Sequence, residues 1–201
     1  MQSITIATQI YAKLSFQPTE NQKKIINSLS EYLSDDDFSR FFVLNGYAGT
    51  GKTTLIAAVV DALKSLGIKT ILLAPTGRAA KVLSKYANQK ALTIHKRIYR
   101  EQTNAQYESK FSLNLNREVE TLFIVDEASM LSTGSSSDKT LFGSGSLLED
   151  LIQYVRSGKR CRLMLVGDSA QLPPVGDDFS PALCPAELLP YADVVYETMD
   201  E

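Results

Sequence analysis

Four short, mainly apolar runs, at residues 41–44, 69–74, 121–125 and 162–166, alternate with stretches whose apolar residues recur every three or four positions. Runs of that length predict buried strands, and the longer period predicts helices. Ile25, Ile26, Leu29 and Leu33 predict a helix over 18–33, ended by Asp35-Asp36-Asp37. Residues 54–63 are apolar at helical spacing and stop before Gly67, and Pro75 turns the second strand into a helix reaching Leu83. Val194, Val195 and Tyr196 predict a further strand. Strand and helix in alternation predict an α/β fold with a parallel sheet flanked by helices. Ligands gather at the carboxyl ends of such strands, where Gly46, Pro75, Asp126 and Asp168 would converge.

Two segments break the alternation. Residues 101–116 are polar, with Tyr107, Phe111, Leu113 and Leu115 spaced by two or more, which predicts a small inserted hairpin. Residues 132–146 are rich in serine and glycine and predict a flexible surface loop. The residues before Phe16 carry little periodic signal. Without internal repeats or a mid-chain linker, one domain over 1–201 is expected.

The first strand runs into Gly46-Tyr47-Ala48-Gly49-Thr50-Gly51-Lys52-Thr53, the GxxxxGK[ST] spacing of a phosphate-binding loop. Glycines let backbone N–H groups turn toward phosphate oxygens, Lys52 can reach the β- and γ-phosphates, and the Thr53 hydroxyl can ligate Mg²⁺. A helix starting where the loop ends, at Thr54, would aim its positive end at the same oxygens. ATP with Mg²⁺ is the ligand this predicts. Asp126-Glu127, after four apolar strand residues, supplies two carboxylates: Asp126 to hold Mg²⁺, Glu127 to orient and deprotonate the attacking water. Gln171 in the loop 167–175 carries a neutral amide suited to sensing a γ-phosphate; capping its own loop is the alternative.

Composition is ordinary for a soluble globular protein, at 44% hydrophobic and 22% charged residues, and no apolar run approaches a membrane span. The N-terminus lacks the pattern of a secretory signal, so a cytoplasmic location is expected. Cys161 and Cys184 read as two buried free thiols, and a single histidine, His95, argues against a histidine metal cluster. The net charge of −2 hides an uneven distribution: Arg78, Lys81, Lys85, Lys90, Lys96, Arg97 and Arg100 fall in one segment without an acidic residue. That segment is either an interaction patch or a solvated helix face.

Taken together, the phosphate loop, Ala74-Pro75-Thr76-Gly77-Arg78-Ala79-Ala80, Thr93-Ile94-His95, Asp126-Glu127-Ala128-Ser129-Met130 and Gly167-Asp168-Ser169-Ala170-Gln171-Leu172-Pro173-Pro174-Val175 resemble successive motifs of superfamily 1 DNA helicases. The likeness is to the RecD-like and Dda-like branch and spans about residues 16–175. It implies a RecA-like P-loop NTPase domain of a motor that couples ATP hydrolysis to movement along single-stranded DNA, usually 5′ to 3′. By that pattern Gln22 would read adenine, although Thr19-x-x-Gln22 is also a capping-box spacing. Pro75, Thr76, Arg78, Lys81, Thr93 and His95 would fall in DNA-contacting segments, and His95 reads equally well as a structural histidine. The insertion at 101–116 takes the place of a duplex-splitting hairpin, with Phe111 or Tyr107 as its stacking residue.

The family motor has a second RecA-like domain that supplies arginines to the γ-phosphate, and the expectation is that it lies outside these 201 residues. An arginine finger is worth about 10³–10⁵ in turnover, so the chain alone would bind ATP and hydrolyse it slowly. Two other readings stay open: a P-loop ATPase unrelated to DNA, and a nucleotide-binding switch module.

Overall fold

The computed structural model describes residues 2–103, 109–134, 143–174 and 177–200. Helix α1 (Gln2–Lys13) precedes α2 (Glu20–Ser34), which opens on a reciprocal capping box: Gln22 N–H donates to Thr19 Oγ1 and Thr19 N–H to Gln22 Oε1. There follow β1 (Phe41–Gly46), α3 (Lys52–Ser65), β2 (Lys69–Ala74), α4 (Gly77–Tyr86), β3 (Ala91–Thr93) and the short α5 (Ile94–Ile98). An antiparallel hairpin, β4 (Tyr99–Thr103) with β5 (Ser109–Leu113), leads to β6 (Thr121–Val125), α6 (Leu147–Ser157), β7 (Arg162–Gly167), the one-turn α7 (Pro185–Leu188) and β8 (Val194–Met199).

Six strands form one parallel sheet in the order β3-β2-β6-β7-β1-β8. Their side chains alternate between two faces, which is why the strands read as continuous apolar runs. Phe42, Leu44, Leu72, Ile124, Met164 and Val166 join the core under α1, α2, α3 and α4. Phe41, Val43, Leu73, Phe123, Val125, Leu163 and Leu165 face the opposite core, closed by α5 and α6. This is the α/β sheet of a P-loop NTPase, and the loops after β1, β2, β6 and β7 all leave from the carboxyl ends of its parallel strands.

Several expectations shift. Helix α1, at the weakly patterned start, buries Ile6, Ala7 and Ile10 and packs on α2 and α3. The hairpin pairs Tyr99 with Leu113, so it begins two residues earlier than its polarity suggested. Its tip, with Tyr107, lies outside the described residues, as do 135–142 of the serine-rich loop and Val175. The described end of that loop is held: Gly143 N–H donates to Phe111 O, Ser144 N–H to the Asp150 carboxylate, and Ser146 caps α6. Of the two thiols, Cys161 is buried and Cys184 only partly so. No helix among the described residues is long and apolar enough to cross a membrane.

Candidate nucleotide-binding site

The site begins with what β1 cannot carry at its end. A Cβ on Gly46 would stand 2.7 Å from the Met199 carbonyl oxygen and 3.2 Å from Thr50 Oγ1, so a side chain there would force β1 away from β8. Gly49 and Gly51 hold φ of +87° and +93°, values that L-residues avoid, and the loop closes by reversing direction twice. No side chain caps α3, so its first amides face the loop. The Lys52 ammonium folds over that loop, donating to Gly46 O and, at 2.7 Å, to Tyr47 O. Thr50 Oγ1 donates to the same Tyr47 carbonyl at 2.9 Å.

A cleft of about 430 Å³ opens here, lined by Ala48, Gly49, Gly51, Lys52, Thr53 and Thr54 from the loop and α3. Asp126 and Glu127 reach it from the end of β6, and Asp168 and Gln171 from beyond β7. The loop carrying Gln171 is pinned on both sides. Asn45 at the end of β1 exchanges hydrogen bonds with Ser169, accepting from its N–H and donating to its Oγ, both at 2.9 Å. Ser129 Oγ donates to Gln171 Oε1 at 3.4 Å, linking this loop to the turn after Glu127. The buried Asp168 carboxylate accepts from Ala170 N–H at 2.9 Å and shapes the same turn.

Charge in the cleft is unbalanced. Lys52 is the only cation among its lining residues, against the carboxylates of Asp126, Glu127 and Asp168. Burial lowers the Lys52 pKa, and those three carboxylates oppose the shift. Burial pushes Asp126 up to about 6; the hydrogen bond from Glu127 N–H opposes the rise, the Glu127 carboxylate adds to it, and Lys52 opposes it. A partly buried carboxylate whose charge is this poorly compensated, lining the same cleft as Thr53, gives with that hydroxyl a hard-oxygen donor set that suits Mg²⁺. Among the described residues no group of three or more His, Cys, Asp or Glu forms a complete cation cage.

Gln22 lies next to the loop, its Nε2 3.8 Å from where a Cβ on Gly51 would be, while its Oε1 is engaged in the capping box. The residues expected to contact DNA sit apart, at the ends of β2 and β3. Thr76 caps α4 by accepting from Ala79 N–H, and Thr93 caps α5 by accepting from Lys96 N–H. His95 is half-buried, its pKa is lowered by burial, and its ring lies 5.6 Å from that of Tyr99. Arg78, Lys81 and Lys85 are exposed on α4 and take part in no ion pair among the described residues. Arg97 does not belong to that patch: it pairs with Glu118, which Lys69 also contacts. Sequence reasoning missed Val82 and Tyr86, which line the cleft from α4. Their i, i+4 spacing, offset from the buried Ala80 and Leu83, was the available signal.

The AAA domain family profile matches residues 19–180. The chain is 33% identical over 172 residues to the ATP-dependent RecD2 DNA helicase of Deinococcus radiodurans, a match covering 86% of this chain and 20% of that protein. It is 34% identical over 164 residues to the ATP-dependent DNA helicase Dda of Enterobacteria phage T4, covering 78% of this chain and 33% of that one. It thus spans a fifth to a third of the length of these relatives. Among solved structures, the Pif1 helicase from Candida albicans shares the fold, with a TM-score of 0.52 and 22% identity over 92% of this chain and 40% of that one.

Proposed function

We propose, from the premise that this chain belongs to the AAA domain family and is a RecA-like domain of the superfamily 1 5′–3′ helicase type, that it is the ATP-binding half of a motor acting on single-stranded DNA. The observation that carries this reading is the convergence of Lys52, Thr53, Asp126, Glu127 and Gln171 on one cleft from three separate strand ends. Lys52 neutralises the β- and γ-phosphate oxygens, and the loop amides and the start of α3 hold the remaining phosphate charge. Thr53 and Asp126 would hold Mg²⁺, which would offset the excess of carboxylates and the charge on the phosphates. Glu127 accepts a proton from the water that attacks the γ-phosphate. Gln171, tied to the Asp126 turn through Ser129 and to β1 through Ser169 and Asn45, reports the presence of that phosphate to the loops on either side.

Single-stranded DNA crosses the ends of β2 and β3. Arg78 and Lys81 meet its phosphates there, and the Thr76 and Thr93 hydroxyls, which already accept one hydrogen bond each, donate to the backbone. His95, kept neutral by its burial, adds a hydrogen bond and no charge. Among the described residues no arginine lines the cleft, which supports slow hydrolysis by this chain alone and an arginine contributed by a second RecA-like domain.

Mg²⁺-dependent ATP binding and hydrolysis, measured with and without single-stranded DNA beside Lys52→Ala, tests the reading. ATP binding that Lys52→Ala abolishes, with little turnover, is expected of this chain. In the complete protein Glu127→Gln should bind ATP and not hydrolyse it. ATP affinity untouched by Lys52→Ala, or full turnover in Glu127→Gln, would overturn the assignment.

A further inference from the structure

Helix α4 leaves the end of β2 with Arg78, Lys81, Val82, Lys85 and Tyr86 on its exposed face. Their spacing of three and four residues keeps them in one stripe, clear of the buried Ala80 and Leu83. Arg78 and Lys85 stand about 10 Å apart along the helix axis, so the cations form a row. None of the three takes part in an ion pair among the described residues, and the segment from Arg78 to Arg100 holds no acidic residue. Val82 and Tyr86, 48% and 61% exposed, edge the row on the side toward the cleft, which they line and the three cations do not. A solvated face accounts for the cations, but not for an aromatic ring and a β-branched side chain set one turn apart beside them.

We propose that this stripe is a stacking step for single-stranded nucleic acid, with phosphates on Arg78, Lys81 and Lys85 and a base on the ring of Tyr86, flanked by Val82. The inference rests on the DNA-track reading above and extends it. Helix α4 begins at Gly77, directly after Thr76, so the strand proposed to cross the end of β2 arrives at the head of the stripe. Charge selects the occupant. Three unpaired cations call for a polyanion, and a ring at their edge calls for one that carries flat apolar groups along its chain, which bases supply at every repeat. Because every base has a π-face, the step reads no sequence. It adds to the backbone contacts of Thr76 and Thr93 a contact that only a strand with unpaired bases can make.

Fluorescence anisotropy of the 201-residue chain with labelled oligo-dT and with an abasic oligodeoxynucleotide of the same length separates the base from the phosphates. Tyr86→Ala should weaken oligo-dT binding about tenfold, as loss of one base–aromatic stack does, and leave the abasic strand bound as before. Tyr86→Phe keeps the ring and should keep the oligo-dT affinity. Lys81→Gln combined with Lys85→Gln should weaken both strands and flatten the salt dependence. Equal losses of both strands in Tyr86→Ala, or no loss of either, would overturn the stacking step, and the DNA track would stand if the charge variant still weakened both. Poly-glutamate displacing oligo-dT at an equal concentration of charge would overturn the step in favour of an acidic protein partner. Failure of the wild-type chain to bind either strand would remove the track and the step together.

Discussion

The backbone N–H of Glu127 donates to Asp126 Oδ1 at 3.0 Å, so the proposed water-activating residue is tethered by its own main chain to the proposed Mg²⁺ ligand. The tether comes with a strained backbone. Glu127 holds φ 56° and ψ 37°, a left-handed conformation that costs a non-glycine residue about 1–2 kcal/mol.

Glu127→Gly should therefore raise stability by about 1 kcal/mol while removing the carboxylate proposed to activate the attacking water. Urea denaturation of the variant beside turnover of the complete protein checks both halves. A variant less stable than wild type would show that the left-handed turn is not a site of strain.

Asp126 titrates near 6 because burial disfavours its charge. A carboxyl whose folded pKa lies above its unfolded value keeps its proton after the unfolded chain has lost it. Stability is then undiminished below about pH 4 and falls as pH rises toward 6, by about 2–3 kcal/mol. Asp126→Asn should flatten that window in urea denaturation at low salt. Mg²⁺-dependent ATP affinity should run the opposite way in the wild-type chain, rising as pH climbs through 6 and the ligand ionises.

Arg78, Lys81 and Lys85 follow one another along the exposed face of α4 and have no carboxylate partner among the described residues. Replacing all three with glutamine should reduce the slope of log affinity for single-stranded DNA against log salt by about 2, at roughly 0.7 per phosphate contact. Arg97→Gln, by contrast, should leave the slope alone and lower stability, because Arg97 belongs to Glu118. Fluorescence anisotropy across a salt series distinguishes them; an unchanged slope in the triple variant would reduce the stripe to a solvated surface.

The hairpin is fastened at its base by a buried pair. The Tyr99 hydroxyl donates to Asp150 Oδ2 at 2.6 Å, and Asp150, 2% exposed, also accepts from Ser144 N–H. Asp150→Ala should cost about 2–4 kcal/mol, Tyr99→Phe about 1–2, and the double variant less than their sum. Chemical denaturation of the four proteins gives the coupling directly.

What the sequence revealed follows from which signals are local. The alternation of two faces along Phe41, Phe42, Val43 and Leu44 is written into consecutive residues, and so is Thr19-x-x-Gln22, which forms the capping box that its spacing suggests. The order of the sheet, by contrast, depends on pairings between distant segments. Helix α6 lies outside the predicted elements although Leu148, Leu151, Ile152 and Val155 recur at helical spacing, because the polar serine-rich stretch runs directly into its first turn. The backbone strain at Glu127 has no compositional trace, since glutamate gives no hint of a left-handed conformation.

β7 stands between β1 and β6. The strands that carry the phosphate loop and Asp126 at their ends are therefore two strand spacings apart, roughly 10 Å, a separation that main-chain hydrogen bonding sets. The sheet works as a ruler with the loop of Gln171, which follows β7, on its middle mark. Substitution at Lys52, Asp126 or Glu127 can change what happens between the two ends, but the gauge to which a bound triphosphate must fit is inherited with the backbone.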